Sequence, residues 1–458
     1  MRALHFFLLL SACGPATAPD TGAIPLEDRV LDGPLTGLRV LGAEDLTGDG
    51  APDVVISSPG LDGAGAVWIL DAGQTGALGA DDAIAVVQGE VGEVGEGVAV
   101  CGDVNGDGHR DLAIGAPGSN TARGGVFVLH GPIDTSRAVS DSVFVTGNVG
   151  DAPAGYATTC GGDLDSDGLD DLVYSAPDAD GWGIATLAGQ VFFMRSTTDD
   201  FDTVASFSTT FSDSHLGYDR SLVLEADLNG DGVADTVMGG HGASRIHVLM
   251  SPVAGTYDGN DAGALLTGRD NRDGAGHAIA VGDVTGDGQA DLIIGAPDHQ
   301  FERGAVGIVP GPLVDGTAQS ISDAGWWIDG QDAGERTGHS VAFAGDLNGD
   351  GIGDLLVGAP GAVTSGDDAG VVYVLYGPAQ VSSVASAQHT LLGTTPLAEF
   401  GRVVHAVPDA NGDGVPEVLV GAPFTDSGDT LGAGAAYLFH SPLPERPADT
   451  DASATYTP

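Results

Sequence analysis

The 458-residue chain contains no lysine. Its 15 basic residues are all arginine, set against 65 Asp and Glu, for a formal net charge of −50. That rules out a phosphate-loop lysine and a Schiff-base lysine, and it leaves no basic footprint for nucleic acid or anionic lipid. Cysteine is scarce, three residues without metal-site spacing. The apolar run at 3–10 is far short of the roughly 20 residues that cross a bilayer. Glycine is abundant instead. Gly (75) and Pro (24) make up about a fifth of the chain, which points to many turns and short strands. A hydrophobic content of 42% supplies core material, so this is not a disordered acidic polymer.

The N-terminus reads as an address. Arg2, the run 3–10 and then Leu10-Ser11-Ala12-Cys13 suit a signal peptide ending in small residues. The last four resemble a bacterial lipobox, which implies a lipoprotein signal peptide over 1–12 and acylation of Cys13. Gly14 rather than Asp follows, and by that resemblance implies the outer membrane of a Gram-negative cell. Residues 13–28 read as a flexible Pro/Thr/Ala tether.

An Asp-rich nonapeptide then recurs seven times, starting at Asp45, Asp103, Asp163, Asp227, Asp283, Asp346 and Asp409, at spacings of 58, 60, 64, 56, 63 and 63 residues. Each unit repeats one grammar. A Gly, often beside an aromatic or His (Gly155-Tyr156, Gly217-Tyr218, Phe400-Gly401), stands about eight residues before the first Asp. An apolar run and then Gly-Ala-Pro follow the loop, at 115–117, 295–297, 358–360 and 421–423, and two further apolar runs complete the unit. Four short strands per unit, seven times over, predict an all-β, seven-bladed β-propeller over 29–441. The segment 29–33 matches the fourth strands of other units. The expectation is that this N-terminal strand closes the ring by completing blade seven, leaving 442–458 as a disordered polar tail.

Residue by residue, the pattern resembles the FG-GAP repeat family, the propeller of integrin α-subunits, over some nine-tenths of the chain. Departures are Gly239-Gly240-His241 in place of Gly-Ala-Pro, and the missing Phe in most Phe-Gly pairs.

Positions 1, 3, 5 and 9 of each nonapeptide carry oxygen side chains, and position 6 is Gly. The sets are Asp45, Thr47, Asp49, Asp53; Asp103, Asn105, Asp107, Asp111; Asp163, Asp165, Asp167, Asp171; and Asp227, Asn229, Asp231, Asp235. Then come Asp283, Thr285, Asp287, Asp291; Asp346, Asn348, Asp350, Asp354; and Asp409, Asn411, Asp413, Glu417. Hard oxygens at alternate positions around a glycine turn suit Ca²⁺. An EF-hand would need Glu at position 12, where this chain has Ile56, Ile114, Tyr174, Met238, Ile294, Val357 and Val420, so that loop type is excluded. The position-9 carboxylate takes its place, as in the integrin-type loop. Metal-free Asx turns are the alternative. Up to seven structural Ca²⁺ ions are expected, most firmly at Asp163 with four carboxylates and least at the two loops with Thr at position 3.

Cys101 and Cys160 precede the loops of units two and three. An exported chain allows a disulfide between them, and two buried free thiols are the alternative. No catalytic signature is found, and His277 and His339 sit at the aromatic position of the Gly element, which suggests packing. Variable loops between strands 2 and 3 offer Trp182, Asp367, Asp368, Asp429, His299, Phe301 and Arg303 for recognition. The sequence therefore predicts a non-enzymatic, surface-tethered, calcium-stabilised and adhesion-like module. It would act as a monomer that binds an extracellular protein or glycan, and no nucleic acid. The alternative is a glycan lyase or hydrolase with convergent Arg, His, Tyr and carboxylates at the axis.

Overall fold

The computed structural model describes residues 35–457, except 91, 120–122, 148–151, 181–185, 198–200, 210, 213, 219, 251–254, 260, 365–367, 427–429 and 444–446. The leader, Cys13, the tether and the segment 29–33 lie outside the described residues, as do Trp182, Asp367 and Asp429.

The chain forms seven small sheets, each a contiguous run of four antiparallel strands, and together they make a seven-bladed propeller. Blade 1 comprises Val40–Ala43, Asp53–Ser58, Ala66–Asp71 and Ala85–Gln88, and blade 7 comprises Val403–Val407, Glu417–Ala422, Ala435–Phe439 and Ala454–Tyr456. Second strands such as Asp53–Ser58 and Asp291–Ala296 are buried along their whole length, because each is covered by a blade on either side. That is why they read as continuous apolar runs rather than alternating ones. Successive side chains serve opposite neighbours. Val54 and Ile56 pack with Val403 and Leu419 of blade 7, whereas Val55 packs with Leu112 and Ile114 of blade 2.

The recurring glycines explain how blades approach. In all seven units the Gly before the inner strand donates its N–H to the second strand of its own blade, at 2.9–3.2 Å, from Gly37 to Ser57 through to Gly401 to Gly421. Its carbonyl faces the preceding blade. A Cβ on Gly115 would lie 1.9 Å from the Gly155 carbonyl oxygen, and one on Gly421 would lie 2.3 Å from that of Gly37. Gly239 makes the same approach to Gly276, so the departure in unit four keeps the glycine that matters and loses only Ala-Pro.

Ring closure differs from the sequence expectation. The fourth strand of blade 7 is Ala454–Tyr456, with Ala436 opposite Tyr456 and Leu438 opposite Ala454, and Tyr456 is fully buried. The C-terminal segment is thus ordered where a disordered tail over 442–458 was expected, and it holds the place assigned to 29–33. Backbone pairing does not require an apolar stretch; two inward side chains suffice. The turn Asp449–Asp451 that precedes this strand matches Ala80–Asp82, Val139–Asp141 and Val384–Ser386, which precede other fourth strands. Blade 7 meets blade 1 as four other pairs meet, with Gly434 bridged to Thr36 as Gly65 is to Val94.

Outer edges are covered by a second device. The connection between strands 3 and 4 of one blade lays a parallel segment on the outer edge of the preceding blade. Arg137–Ala138 covers blade 1, Gly255–Asp258 blade 3 and Thr317–Ser320 blade 4, and Gly76–Leu78 of blade 1 returns to cover blade 7. Single bridges, Asp329 to Ser383 and Leu392 to Ala448, do the same for blades 5 and 6. Covered edges cannot template pairing with another chain. Cys101 and Cys160 form a disulfide with Cα atoms 5.0 Å apart, tying blade 2 to blade 3 just above their acidic loops.

Candidate metal centres and the opposite face

Each acidic nonapeptide joins the inner strand to the second strand of its blade, so all seven loops lie on one face. Their geometry is uniform. The position-6 glycine has φ between 84 and 92°, a left-handed turn that favours glycine. Its N–H donates to the position-1 Asp at 2.7–3.0 Å in every loop. The position-5 Asp accepts the position-7 N–H at 2.9 Å in every loop. These bonds pull two side chains inward and fold the nonapeptide into a cup.

The position-9 carboxylates form the floor of the cup, and all seven are fully buried. Each Asp there accepts the position-2 N–H, Leu46 to Asp53 at 2.7 Å for example. In blades 2, 3, 5, 6 and 7 the floor carboxylate also accepts an N–H from the end of strand 3 or just after it, at Gly131, Ser196, Gly311, Gly377 and Ser441. Rim and floor differ in electrostatics. Burial is the largest single influence on rim Asp346 and raises it, but the N–H groups of Gly351, Gly349, Asp350 and Asn348 together hold it below the usual carboxylate range. Burial pushes floor Asp53, Asp171 and Asp354 up to about 6 and Glu417 up to about 7.

This donor set fits a hard divalent cation. Carboxylate oxygens of Asp163, Asp165 and Asp171 lie within 4.8 Å of one another, as do those of Asp409, Asp413 and Glu417. Glu417 Oε1 is buried without a hydrogen-bond partner. A cation at these oxygens would offset the charge that burial penalises and satisfy that atom. Asp167, expected as a fourth carboxylate ligand in blade 3, stands outside the trio and accepts the Leu169 N–H. The two Thr loops differ from the rest. Thr47 and Thr285 turn their hydroxyls toward the floor carboxylates Asp53 and Asp291, at 3.4 and 3.5 Å.

The 2–3 and 4–1 connections form the opposite face, and there the residue after each recurring glycine is brought toward the axis. These are Leu38, Glu96, Tyr156, Tyr218, His277, His339 and Arg402, one per blade. Four of them, with His241, make a continuous string of ring contacts. Centroids are 6.1 Å apart for Tyr156–Tyr218, 5.5 Å for Tyr218–His241, 5.5 Å for His241–His277 and 4.5 Å for His277–His339. Arg220 Nη2 lies 3.3 Å from His339 Nδ1. Burial, with the neighbouring His277, Arg402, Arg220 and Arg336, keeps His339 neutral well below its usual range. His277 and His339 therefore pack, as the sequence suggested. The part played by His241 and Arg220 was hidden, because only closure of the ring brings them to these neighbours.

A family model described as "FG-GAP repeat" matches residues 36–70, 94–129, 275–309, 337–375 and 400–439, in blades 1, 2, 5, 6 and 7. The chain is an FG-GAP, integrin-α-like β-propeller. Among curated relatives, integrin alpha-PS2 of Drosophila melanogaster is 29% identical over 54% of this chain and 18% of its own length. Integrin alpha-V of Gallus gallus is 30% identical over 47% and 21%. Phosphatidylinositol-glycan-specific phospholipase D of Homo sapiens is 31% identical over 50% and 29%. The FG-GAP propeller thus spans less than a third of each of these relatives. Among its described residues no helix is long and apolar enough to cross a membrane.

Proposed function

We propose that this propeller is a surface-tethered, calcium-stabilised binding module of adhesion type, acting without catalysis on an extracellular protein or glycan. The observation that carries this reading is the division of labour between faces. Repetitive acidic cups, alike in all seven blades, occupy one face, and loops that differ from blade to blade occupy the other. Rigid scaffolds with variable loops are where recognition concentrates. In this reading the calcium ions stiffen the turns that fix the inner strands, and the opposite loops meet the partner. Protein and glycan arrays probed with the chain, with and without Ca²⁺, test it; no retained ligand on either array counts against it.

Tethering rests on the lipobox alone. Replacing Cys13→Ser is expected to release the protein from the membrane fraction, and unchanged retention would argue against acylation.

A second reading, a glycan lyase or hydrolase, draws on the convergence of Tyr156, Tyr218, His277 and Arg402 at the axis. Depolymerisation of a uronate polysaccharide by the parent chain, lost in His277→Asn, would favour it.

A further inference from the structure

We propose that the outer edge of blade 2, the strand Val143–Thr146, accepts an extended segment of a partner protein as an added parallel strand. The site lies on the side wall of the ring, apart from the loops to which partner binding was ascribed above, and does not depend on that reading.

The six other blades show what fits there. In them strands 3 and 4 are joined by 13 to 16 residues, at 72–84, 130–142, 250–263, 310–325, 376–388 and 440–453. Each of these connections reaches back as a strap onto the outer edge of the preceding blade, always parallel to its fourth strand. In blade 3 the same connection is only the four residues 197–200, closed as a hairpin by the pair Ser196–Phe201. A closed turn of that length has no chain left to reach blade 2. Among the described residues nothing pairs with the outer side of Val143–Thr146.

The backbone of this edge is set for pairing. Gly147 N–H donates to the Gly124 carbonyl at 3.0 Å, which fixes the alternation along the strand. Val143 and Val145 therefore bond inward to Val128 and Val126, and the N–H and C=O groups of Phe144 and Thr146 point away from the blade. The Thr146 carbonyl meets the Tyr174 hydroxyl at 3.5 Å, and the other three groups are left for an added strand. Thr146 is exposed, and half-buried Phe144 packs on Phe127. Straps also plug the seams between blades. Ile133 and Val139 pack with Val87 of blade 1, and Leu313 and Ile321 with Leu266 of blade 4. The seam between blades 2 and 3 holds Val145 and, at the foot of the hairpin, half-buried Phe201, but no strap residue. The Cys101–Cys160 disulfide joins these two blades at their inner strands instead, so the ring stays closed while this outer edge stays open.

Straps and charge together define the occupant. An open edge binds through main-chain hydrogen bonds, and the side-chain pockets beside it select the sequence. The matching segment is extended and places two aliphatic side chains six to eight positions apart, as Ile133 and Val139 or Leu313 and Ile321 do. Its flanks are basic. The segments 130–147 and 190–208, which bear the edge and the hairpin, carry five Asp against two Arg. Of those two, Arg195 is already paired with Asp165 and Asp202, and Arg137 lies in the strap that covers blade 1. A second copy of this chain, with no lysine and a net charge of −50, is repelled by such a surface, so the occupant is a different protein.

The test is a phage-displayed library of random linear dodecapeptides, panned on the full chain in Ca²⁺. The expected outcome is enrichment of Lys or Arg flanking two aliphatic residues. A synthetic peptide of the selected sequence should slow amide exchange at Phe144 and Thr146 at least tenfold. Thr146→Pro removes an outward N–H and no bond within the blade, and an edge strand tolerates proline there. This variant should melt like the parent and bind the peptide at least tenfold more weakly. Unchanged affinity in Thr146→Pro, exchange protection confined to other segments, or a library that yields no binder would each overturn the proposal. The exchange measurement uses the parent chain, so it decides the matter even if the variant fails to fold. A dimer in sedimentation equilibrium that is lost in Thr146→Pro would overturn the partner and put a second copy in its place. Each of these outcomes leaves the reading of the opposite loops untouched.

Discussion

If the floor carboxylates hold calcium, metal binding must expel protons at mildly acidic pH. Asp53, Asp171 and Asp354 are raised by burial from 3.8 to about 6, and Glu417 from 4.5 to about 7. A rise from 3.8 to about 6 penalises the ionised form by roughly 3 kcal/mol. At pH 6 the three Asp are about half protonated and Glu417 about nine-tenths, so filling these four cups releases about two protons per chain; at pH 7.5 fewer than about 0.5 remain to be lost. The assay is calorimetric titration of Ca²⁺ into metal-free protein, in two buffers of different ionisation enthalpy at each pH. Release near zero at pH 6, with heat of binding still present, would refute the assignment of these carboxylates as ligands. The sign for stability follows from linkage. Metal-free native protein binds more protons than the unfolded chain between about pH 4 and pH 7, so these groups stabilise it in acid and that contribution is lost as pH rises. Buried His339, His247 and His405, whose pKa values are lowered, act in the opposite sense. They act alike with and without metal. The gap in melting temperature between calcium-loaded and metal-free protein therefore widens from pH 5 to pH 7.5.

Three further outcomes test the architecture. Replacing both Cys101 and Cys160 by Ala opens a loop with a sequence separation of 59, worth about 4 kcal/mol of chain entropy, and should lower the denaturation midpoint and raise m, because the unfolded chain expands. Deleting 448–458 removes the fourth strand of blade 7 with its buried Tyr456 and should cost several kcal/mol; a truncated chain that melts with the parent would mean that another segment closes the ring. Gly115→Ala places a methyl group against the Gly155 carbonyl and should cost at least about 2 kcal/mol. Gly50→Ala, where nothing lies within 4 Å, should show only the milder strain of its positive φ in an equilibrium urea melt.

Most of the architecture is local information repeated. Seven nonapeptides, seven glycines and seven apolar second strands define the blades, because each feature serves a short-range need: a turn, a close approach, or a strand covered on both sides. Position 9 could be read as a carboxylate in every unit, but its place on the floor of the cup follows from the second strand, which it opens in six blades and directly precedes in blade 2. What the sequence could not determine depends on neighbours far apart in the chain. The residues 454–456 look like a polar tail because backbone pairing to Ala435–Phe439 leaves little trace in composition, although the Asp-rich turn at 449–451 was a usable signal. The edge-covering segments, among them Gly76–Leu78 lying on blade 7, have no pattern of their own, since their partner supplies the template. The disulfide needed two inner strands brought to a Cα separation of 5.0 Å. Arg220 beside His339, 119 residues away, exists as a contact only because the blades are wound about one axis. Local grammar decided what each blade is, and ring closure decided which side chains meet at its centre.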